Sequence, residues 1–429
     1  MMDEDRNWFV GVDWASETHL VCVLDAQGNK SGERSFRHGG GGLAEMAAWI
    51  LGLTKTAAEA VHVAIEVPHG PVVESLMERG FVVHAINPKQ LDRFRDRFSP
   101  AGAKDDSRDG HVLADALRTD PHCLRRLAPV DPTVIELREW SRMAEDLTQE
   151  RTRLTNRMRE QLWRYYPQFL ELADDIAHPW LLELWALVPT PKKAQRVREA
   201  TVAKLLKRHR IRRIDAVGVL DRLRERPIVV AAGTAEATTA HIKTVAQRLA
   251  LVNRQLRQAH HRLDQLTERL GAETEPGHDA EQRDVTILAS LPGIGRIVLA
   301  TLLAEAFDPL QRRDYHALRC LGGVAPVTKR SGKSKIVIRR LAAHRRLGDA
   351  LYHWARVAIQ HDPVSRAKYA ALRQRGHGHA RALRSVADRL LAVACTMLQN
   401  KSLFDPNHPR HNNVAPSSRG YSPAAVTLD

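Results

Sequence analysis

Four acidic residues near the start of the chain have the types and spacing of a site for divalent cations. Asp13 and Glu66 each end an apolar segment that predicts a buried strand. Asp106 and Asp109 lie three residues apart at the start of a predicted helix, so both project from one helix face. A carboxylate that loses its hydration needs a cation or a partner, and Mg²⁺ and Mn²⁺ prefer oxygen ligands. The four acids therefore predict a site for two divalent cations, an arrangement that catalyses phosphoryl transfer.

The helical pair has a second interpretation, because acids at the start of a helix also serve as caps. Asp105 or Asp106 can be an N-cap residue, and Asp109 an ordinary surface acid. Asp105 and Asp115 also compete for the ligand positions assigned to the helical pair. The sequence leaves these alternatives open.

Ser331 is the candidate nucleophile, because it lies in a strongly cationic segment. From Tyr315 to Gly348 the chain has no Asp or Glu but nine Lys and Arg residues, so a phosphodiester here would meet a positive field. Ser331 precedes Gly332, and a hydroxyl in such a field can attack phosphorus. The alternative is an ordinary basic loop. The cations of this segment that we assign to nucleic-acid binding are Lys329, Arg330, Lys333, Lys335, Arg339 and Arg340.

A Gly-x-Gly turn at Gly293 and Gly295 predicts a second contact with nucleic acid. The turn stands between two predicted helices, the second over Ile297–Phe307. Backbone N–H groups at the start of a helix bind phosphate, and the pattern is that of a helix-hairpin-helix. A tight interhelical turn uses the same residues, so this signal is only moderately specific.

The composition favours a polyanionic partner. Sixty-five Lys and Arg against 50 Asp and Glu give a formal charge of +15, and nucleic acid is the commonest partner of such proteins. A basic protein from an organism with Arg-rich usage is the alternative. The four cysteines are far apart and have no metal-ligand spacing, which fits a reducing cytoplasm. We expect no signal peptide, and no apolar run reaches the 18 residues or so of a membrane span.

Residues 8–125 alternate between strand and helix patterns. Three strands joined by hairpin turns come first, and strands joined by helices follow, which predicts a mixed α/β sheet. Two strand acids followed by a helical pair are typical of nucleases built on an RNase H-like sheet. The predicted strands are Phe9–Asp13, His19–Asp25, Lys30–Arg37, Val61–Val67 and Phe81–Ile86, and the predicted helices are Leu43–Leu53 and Pro71–Arg79.

The pattern of residues 133–272 predicts long charged helices. Residues 284–404 are predicted to form a third, mainly helical region. Apolar residues between Ile242 and Leu270 alternate in steps of three and four, which is a coiled-coil seam. Either the seam pairs with the helix over Val134–Tyr166 in the same chain, or it forms a dimer. The basic segment 189–213 can hold a nucleic-acid backbone or be a solvated surface, and residues 405–429 predict a disordered tail.

Together these motifs resemble the DEDD transposases of the IS one-ten and IS eleven-eleven insertion-sequence type, which are related to the Piv and MooV recombinases. The similarity covers about residues 8 to 400, and the order and spacing of the motifs make it specific. The motifs that carry it are Val10–Asp13, Ala64–Glu66, Ala103–Asp109, Leu291–Gly295, Leu321–Pro326, Ser331–Gly332 and Leu347–Leu351.

The resemblance implies an RNase H-like (RuvC-like) domain whose metal-binding acids are Asp13, Glu66, Asp106 and Asp109. It also implies that Ser331 forms a covalent phosphoserine intermediate with DNA, so that strands are exchanged without an external energy source. The family assembles as dimers and as tetramers, and the acids of one protomer are completed by the serine of another. A structured noncoding bridge RNA specifies donor and target DNA.

The sequence departs from the family's usual pattern at three positions. The family usually has Thr, Ala and Asn where Asp105, Gly110 and Asp349 stand. Three alternative functions remain. The first is a metal-dependent endonuclease of the Holliday-junction type, which needs the acids but not Ser331. The others are an actin-like ATPase or sugar kinase, and a non-enzymatic architectural or RNA-binding protein with a decayed site.

Overall fold

The computed structural model describes residues 8–98, 106–128, 131–231, 233–272, 284–332 and 334–406, without the side chains of residues 106 and 107. The chain divides into two units, Met1–Val130 and Asp131–Asp429. Asp105, Lys333 and most of the predicted tail lie outside the described residues. The predicted regions 133–272 and 284–404 both belong to the second unit.

The first unit is a mixed α/β sheet, as predicted. The sheet order is β3-β2-β1-β4-β5-β6, with β1, β4 and β5 parallel to one another and the other neighbours antiparallel. Short 3₁₀ turns cover Ala58–Ala60 and Pro121–Cys123. The strands are β1 (Trp8–Trp14), β2 (Thr18–Asp25), β3 (Lys30–Arg37), β4 (Val61–Ile65), β5 (Val82–Ala85) and β6 (Arg125–Arg126). The helices are α1 (Gly40–Thr54), α2 (Pro71–Met77), α3 (Pro88–Asp96) and α4 (Asp106–Thr119).

Side-chain alternation along the strands separates two cores, one on each face of the sheet. Val10 and Val12 pack on one face with apolar residues of α1 and α2. Phe9 and Ala64 point to the other face, where α4 lies. Gly11 lets α4 approach: a Cβ added there would lie 2.0 Å from the backbone oxygen of Gly110. Glycine in β1 therefore sets how closely the start of α4 approaches the sheet.

The second unit is built of helices and one two-stranded sheet. The helices in its first part are α5 (Pro132–Tyr165), α6 (Pro179–Leu187), α7 (Pro191–Ala194), α8 (Glu199–Arg208), α9 (Ala216–Leu223) and α10 (Thr234–Ala272), with a 3₁₀ turn over Pro167–Leu172. The elements that follow are α11 (Asp284–Ala289), α12 (Arg296–Glu305), α13 (Phe307–Gln311), α14 (Tyr315–Leu321), β7 (Val327–Ser331), β8 (Ser334–Ile338), α15 (Arg345–His361), α16 (Pro363–Gln374) and α17 (His379–Asn400).

Helices α5 and α10 pack antiparallel within the chain, which is the first of the two arrangements that the seam allowed. Arg262 Nε donates to Glu136 Oε1 at 2.8 Å near one end, and Arg248 pairs with Glu150 at 3.0 Å further along. Most seam residues are buried, whereas Leu256 and Leu270 are half-buried. The apolar stripe of α10 is thus covered by α5 of the same chain.

Two cores lie at opposite ends of this helix pair. One combines the C-terminal half of α5 and the N-terminal half of α10 with α6, α8 and α9. The other combines the remaining halves with α11 and the helices that follow. The predicted second and third regions therefore share a core. Among the described residues, no helix is both long and apolar enough to cross a membrane.

Candidate active site

Asp13 and Glu66 follow each other across two parallel strands at the carboxyl edge of the sheet. The register pairs Val12 with Ile65, so the residues that directly follow them, Asp13 and Glu66, are neighbours across the two strands. Both are half-buried. By alternation, they belong to the face of the sheet on which α4 packs. The folding of β1 and β4 thus brings these two predicted acids to neighbouring positions.

Asp109 lies on α4, and its carboxylate is bound by an arginine. Asp109 is only 2% exposed, so its negative charge needs a partner. Arg95 of α3 donates from Nε to Oδ1 at 2.6 Å and from Nη2 to Oδ2 at 2.8 Å, a bidentate pair. The bond to Asp109 raises the pKa of the Arg95 guanidinium, which also pairs with Asp92. Both Asp109 oxygens are therefore engaged.

The third predicted ligand, Asp106, is the first residue of α4, but its side chain lies outside the described part of the chain. Within that part, Asp13, Glu66 and Asp109 do not form a group with one ligand atom from each within 4.8 Å of the others. The physical reason is visible for Asp109, because Arg95 holds it as a cation would. The structure places two acids side by side and a third on the helix that crosses the same face.

A different group does meet that distance criterion. Asp120, His122 and Cys123 follow the far end of α4, and their ligand atoms lie within 4.8 Å of one another. The Asp120 carboxylate accepts from Thr119 Oγ1 at 2.8 Å and from Arg97 at 3.2 Å. Mixed oxygen, nitrogen and sulfur donors suit zinc-like ions rather than Mg²⁺. This group differs in place and in donor chemistry from the predicted site.

The donor set at the carboxyl edge fits the predicted cations. Its donors are carboxylates, and hard oxygen ligands from few residues are what Mg²⁺ and Mn²⁺ take. No sequence pattern indicated Arg95, since a pairing between α3 and α4 depends on how the two helices pack. Its bidentate pair with Asp109 is a property of the folded site.

Ser331 is the last residue of β7, at the tip of a hairpin. It pairs with Ser334 across a two-residue loop, in which Gly332 has a φ of +52°, a value that glycine adopts readily. The residues of both strands are exposed, except for the half-buried Val327. The hydroxyl thus stands on a projecting and accessible element.

The predicted nucleic-acid cations surround this serine along the hairpin. Lys329 shares the face of Ser331, whereas Arg330 and Lys335 pair on the other face. Arg339 follows β8 and is exposed, and Arg340 is half-buried. Positive charge is therefore present on both faces.

The base of the hairpin is anchored to α5 through a buried glutamate. Arg142 of α5 donates to both oxygens of Glu305, at 3.0 and 3.2 Å. His344, which caps α15, lies 3.6 Å from the same carboxylate. Burial lowers the pKa of His344, and the charge of Glu305 partly offsets that effect. These contacts hold the segment that leads from the hairpin into α15 against Glu305.

The predicted phosphate-binding turn is packed against another helix. A Cβ on Gly293 would lie 2.7 Å from the backbone nitrogen of Ala358 in α15, and φ at this glycine is +82°. Trp354 Nε1 donates to the Pro292 carbonyl at 2.9 Å. Gly295 is exposed at the start of α12. Packing alone explains Gly293, whereas Gly295 leaves that helix start open to a ligand.

Comparison with known proteins places both units among transposases. A family model described as a transposase, of the DEDD type of IS110, matches residues 10–167, and one described as the transposase IS116/IS110/IS902 family matches residues 285–370. The mini-circle putative transposase for IS117 of Streptomyces coelicolor is 31% identical over 421 residues, 94% of this chain and 97% of that protein. The putative transposase y4uE of Sinorhizobium fredii is 69% identical over 217 residues, and the match spans 50% of this chain and 60% of that protein.

Proposed function

The chain belongs to the IS110 family of transposases, and from that premise we propose that it cuts and rejoins DNA through a phosphoserine intermediate on Ser331. The proposal rests most directly on the carboxyl edge, where Asp13 and Glu66 occupy neighbouring positions on the face covered by α4. Such an edge is where a phosphodiester would meet divalent cations. The sheet order and strand directions support an RNase H-like first unit.

Asp13, Glu66, Asp106 and Asp109 would hold Mg²⁺ or Mn²⁺. When bound, these ions neutralise charge on the phosphate that is attacked. The residues of the chain supply the rest: β1 and β4 orient Asp13 and Glu66, and Gly11 admits the start of α4 to the same face. Arg95 must release Asp109 before that carboxylate can serve as a ligand.

Ser331 would carry out the covalent step. Its hydroxyl loses a proton as Oγ forms a bond to phosphorus, and the leaving deoxyribose oxygen takes up a proton. The phosphoester keeps the energy of the broken bond, so a hydroxyl of another strand can attack it and restore Ser331. Lys329, on the same face of the hairpin, and the paired Arg330 and Lys335 would stabilise the charge that develops on the phosphate.

A second copy of the chain would complete the site. The acids belong to the first unit and Ser331 to the second, and the family arrangement joins the acids of one protomer to the serine of another. The hairpin supports such an assembly, because Ile336 is 57% and Leu341 85% exposed and a two-stranded sheet alone is only marginally stable. A bridge RNA would select the DNA, and the basic segment 189–213 would suit its backbone.

Asp13→Asn tests the acidic edge. We expect strand cleavage to fall at least 100-fold while DNA affinity stays within about twofold, because the amide removes a ligand charge at an edge position. Glu17→Gln is the matched control, since Glu17 is an exposed acid in the turn after β1. Cleavage assays with Mg²⁺ and binding assays measure the two quantities. Unchanged cleavage in Asp13→Asn would remove the acids from the mechanism.

A further inference from the structure

Three arginines outside the catalytic residues lie where two acid-free segments of the second unit meet. Arg319 of α14 donates to Asp388 of α17, one turn after Arg384. A Cβ on Gly323, just after α14, would lie 3.9 Å from the backbone oxygen of Arg340, so the end of the hairpin is held at this same junction. Residues 315–348 and 363–387 contain no Asp or Glu, but nine and six Lys and Arg residues. Arg339 follows β8 in the first segment. Arg381 and Arg384 lie three residues apart on α17 in the second, so they share one helix face. These two segments supply a concentration of positive charge without local acids.

Arg384 is the most constrained member of this cluster. Its side chain is half-buried, and the charges of Arg339 and Arg381 act on it. Burial lowers the pKa of Arg384, and the two neighbouring guanidiniums lower it further. A partly desolvated cation beside two like charges is unfavourable until an anion joins it. The free protein therefore carries a repulsion that a bound anion would remove.

The acid one turn further along α17 does not neutralise the cluster. Asp388 accepts from Arg319 at 3.0 and 2.6 Å and from the hydroxyl of Tyr315 at 2.9 Å. In the described part of the chain, no carboxylate forms an ion pair with Arg339, Arg381 or Arg384.

Arg340 adds a further unsatisfied donor next to Arg339. Its Nε is buried and has no hydrogen-bond partner among the described residues. A guanidinium donates up to five hydrogen bonds in a plane and matches a phosphate in a bidentate way. The cluster has the charge and the donors for an oxyanion.

We propose that Arg339, Arg381 and Arg384 form a subsite for a backbone phosphate of DNA, beside the hairpin that carries Ser331. The proposal rests on the function proposed above for that hairpin. Arg339 follows the strand whose first residue, Ser334, pairs with Ser331, and five residues of strand span roughly 16 Å. A duplex whose phosphate is attacked by Ser331 is the polyanion within that reach.

Salt dependence of binding tests this subsite. We expect Arg384→Gln to weaken binding of a duplex from the element's end and to reduce the slope of log K against log [KCl] by about 0.9, as for one lost phosphate contact. Arg356→Gln is the matched control, because Arg356 is an exposed arginine on α15 that forms no ion pair with any acid in the described part of the chain. It should leave the slope unchanged. Arg381→Gln provides a second variant of the cluster and should act in the same direction.

Stability of the free protein separates a binding role from a structural one. Arg384→Gln should leave the melting temperature unchanged or raise it, because a repelled cation is removed. Inorganic phosphate should raise the melting temperature of the wild type more than that of Arg384→Gln. A lower melting temperature without DNA, and an equal response to phosphate, would make Arg384 a structural residue and overturn the proposal.

A single neutral methylphosphonate moved along the duplex identifies the contact. At one position the methylphosphonate should weaken DNA binding by the wild type but not weaken binding by Arg384→Gln any further, as expected for coupled partners. An unchanged slope in both cluster variants would overturn the subsite. The subsite would also be overturned if the cluster variants weakened binding of single-stranded RNA but not of duplex DNA. If the wild type itself does not bind duplex DNA, the proposed function fails, whereas intact adduct formation with unchanged slopes removes the subsite alone.

Discussion

Arg95 and Asp109 form an ion pair at the proposed metal site. The carboxylate of Asp109 is nearly fully buried, and the bidentate pair with Arg95 compensates its lost hydration. A metal ion that uses Asp109 must take the place of this guanidinium. In the proposed metal site, metal affinity and the stability of the free protein are therefore opposed at Asp109.

Arg95→Gln should make the protein less stable without metal and more responsive to it. Loss of the partner leaves a buried carboxylate, which we expect to cost about 2–4 kcal/mol of unfolding free energy. Mg²⁺ or Mn²⁺ should then raise the melting temperature more than in the wild type, because the competing cation is gone. Thermal unfolding with and without the metal measures both effects. Arg93→Gln, on the exposed side of α3, is the control. An equal metal response in Arg95→Gln and wild type would exclude this competition.

At the scale of elements, the contact between β1 and α4 determines where the helical acids lie. A Cβ on Gly11 would come within 2.0 Å of the Gly110 oxygen, whereas a Cβ on Gly110 would meet Cys22 Cβ at an ordinary 3.4 Å. The two glycines face each other but have different requirements. Only Gly11 is needed for the close approach.

Alanine substitutions at these two positions should have opposite effects. Gly110→Ala, the residue that the family usually has, should raise the unfolding free energy by up to about 1 kcal/mol through helix propensity. Gly11→Ala should lower it by about 1–3 kcal/mol or more, because α4 must move away from the sheet. Denaturant unfolding of both variants measures the difference. Stabilisation by Gly11→Ala would contradict the close packing of α4 on β1.

The sequence predicted those elements whose patterns have a single interpretation. β3 begins and ends where the pattern over Lys30–Arg37 placed it, and the turn residues 25–29 predicted the hairpin before it. Helix α3 was missed, because the sequence predicted a strand over Phe81–Ile86 and no helix directly after it. Asn87 instead caps α3, accepting from the Lys89 N–H at 3.0 Å, and proline stands in the first turn.

The hairpin of Ser331 was missed for a different reason. Strands that are exposed on both faces show no apolar–polar alternation, so the sequence predicted no strand in this cationic segment. The positions of Asp13 near the end of one strand and of Glu66 directly after another were predictable, because buried strands give apolar runs. The Arg95 pair was not, since no local pattern indicates which cation a packed helix will present.

At the scale of the whole molecule, the proposed catalytic groups are distributed over two units. Unit one carries the acidic edge, and unit two carries Ser331 on a hairpin anchored through Glu305 to α5. Helices α5 and α10 cover each other's apolar stripes, which leaves other surfaces for assembly. The proposed recombination needs both units on one DNA, with Ser331 supplying the covalent bond.

Detection of a protein–DNA adduct tests this claim most directly. Wild type, Ser331→Ala and Ser334→Ala are incubated with Mg²⁺, the flanking RNA and the DNA ends, then resolved under denaturing conditions. Ser334, opposite Ser331 in the hairpin, is the matched control. We expect a DNA-linked band in the wild type and in Ser334→Ala and none in Ser331→Ala. Cleavage without an adduct, equal in all three proteins, would contradict a serine mechanism and indicate a metal-dependent endonuclease.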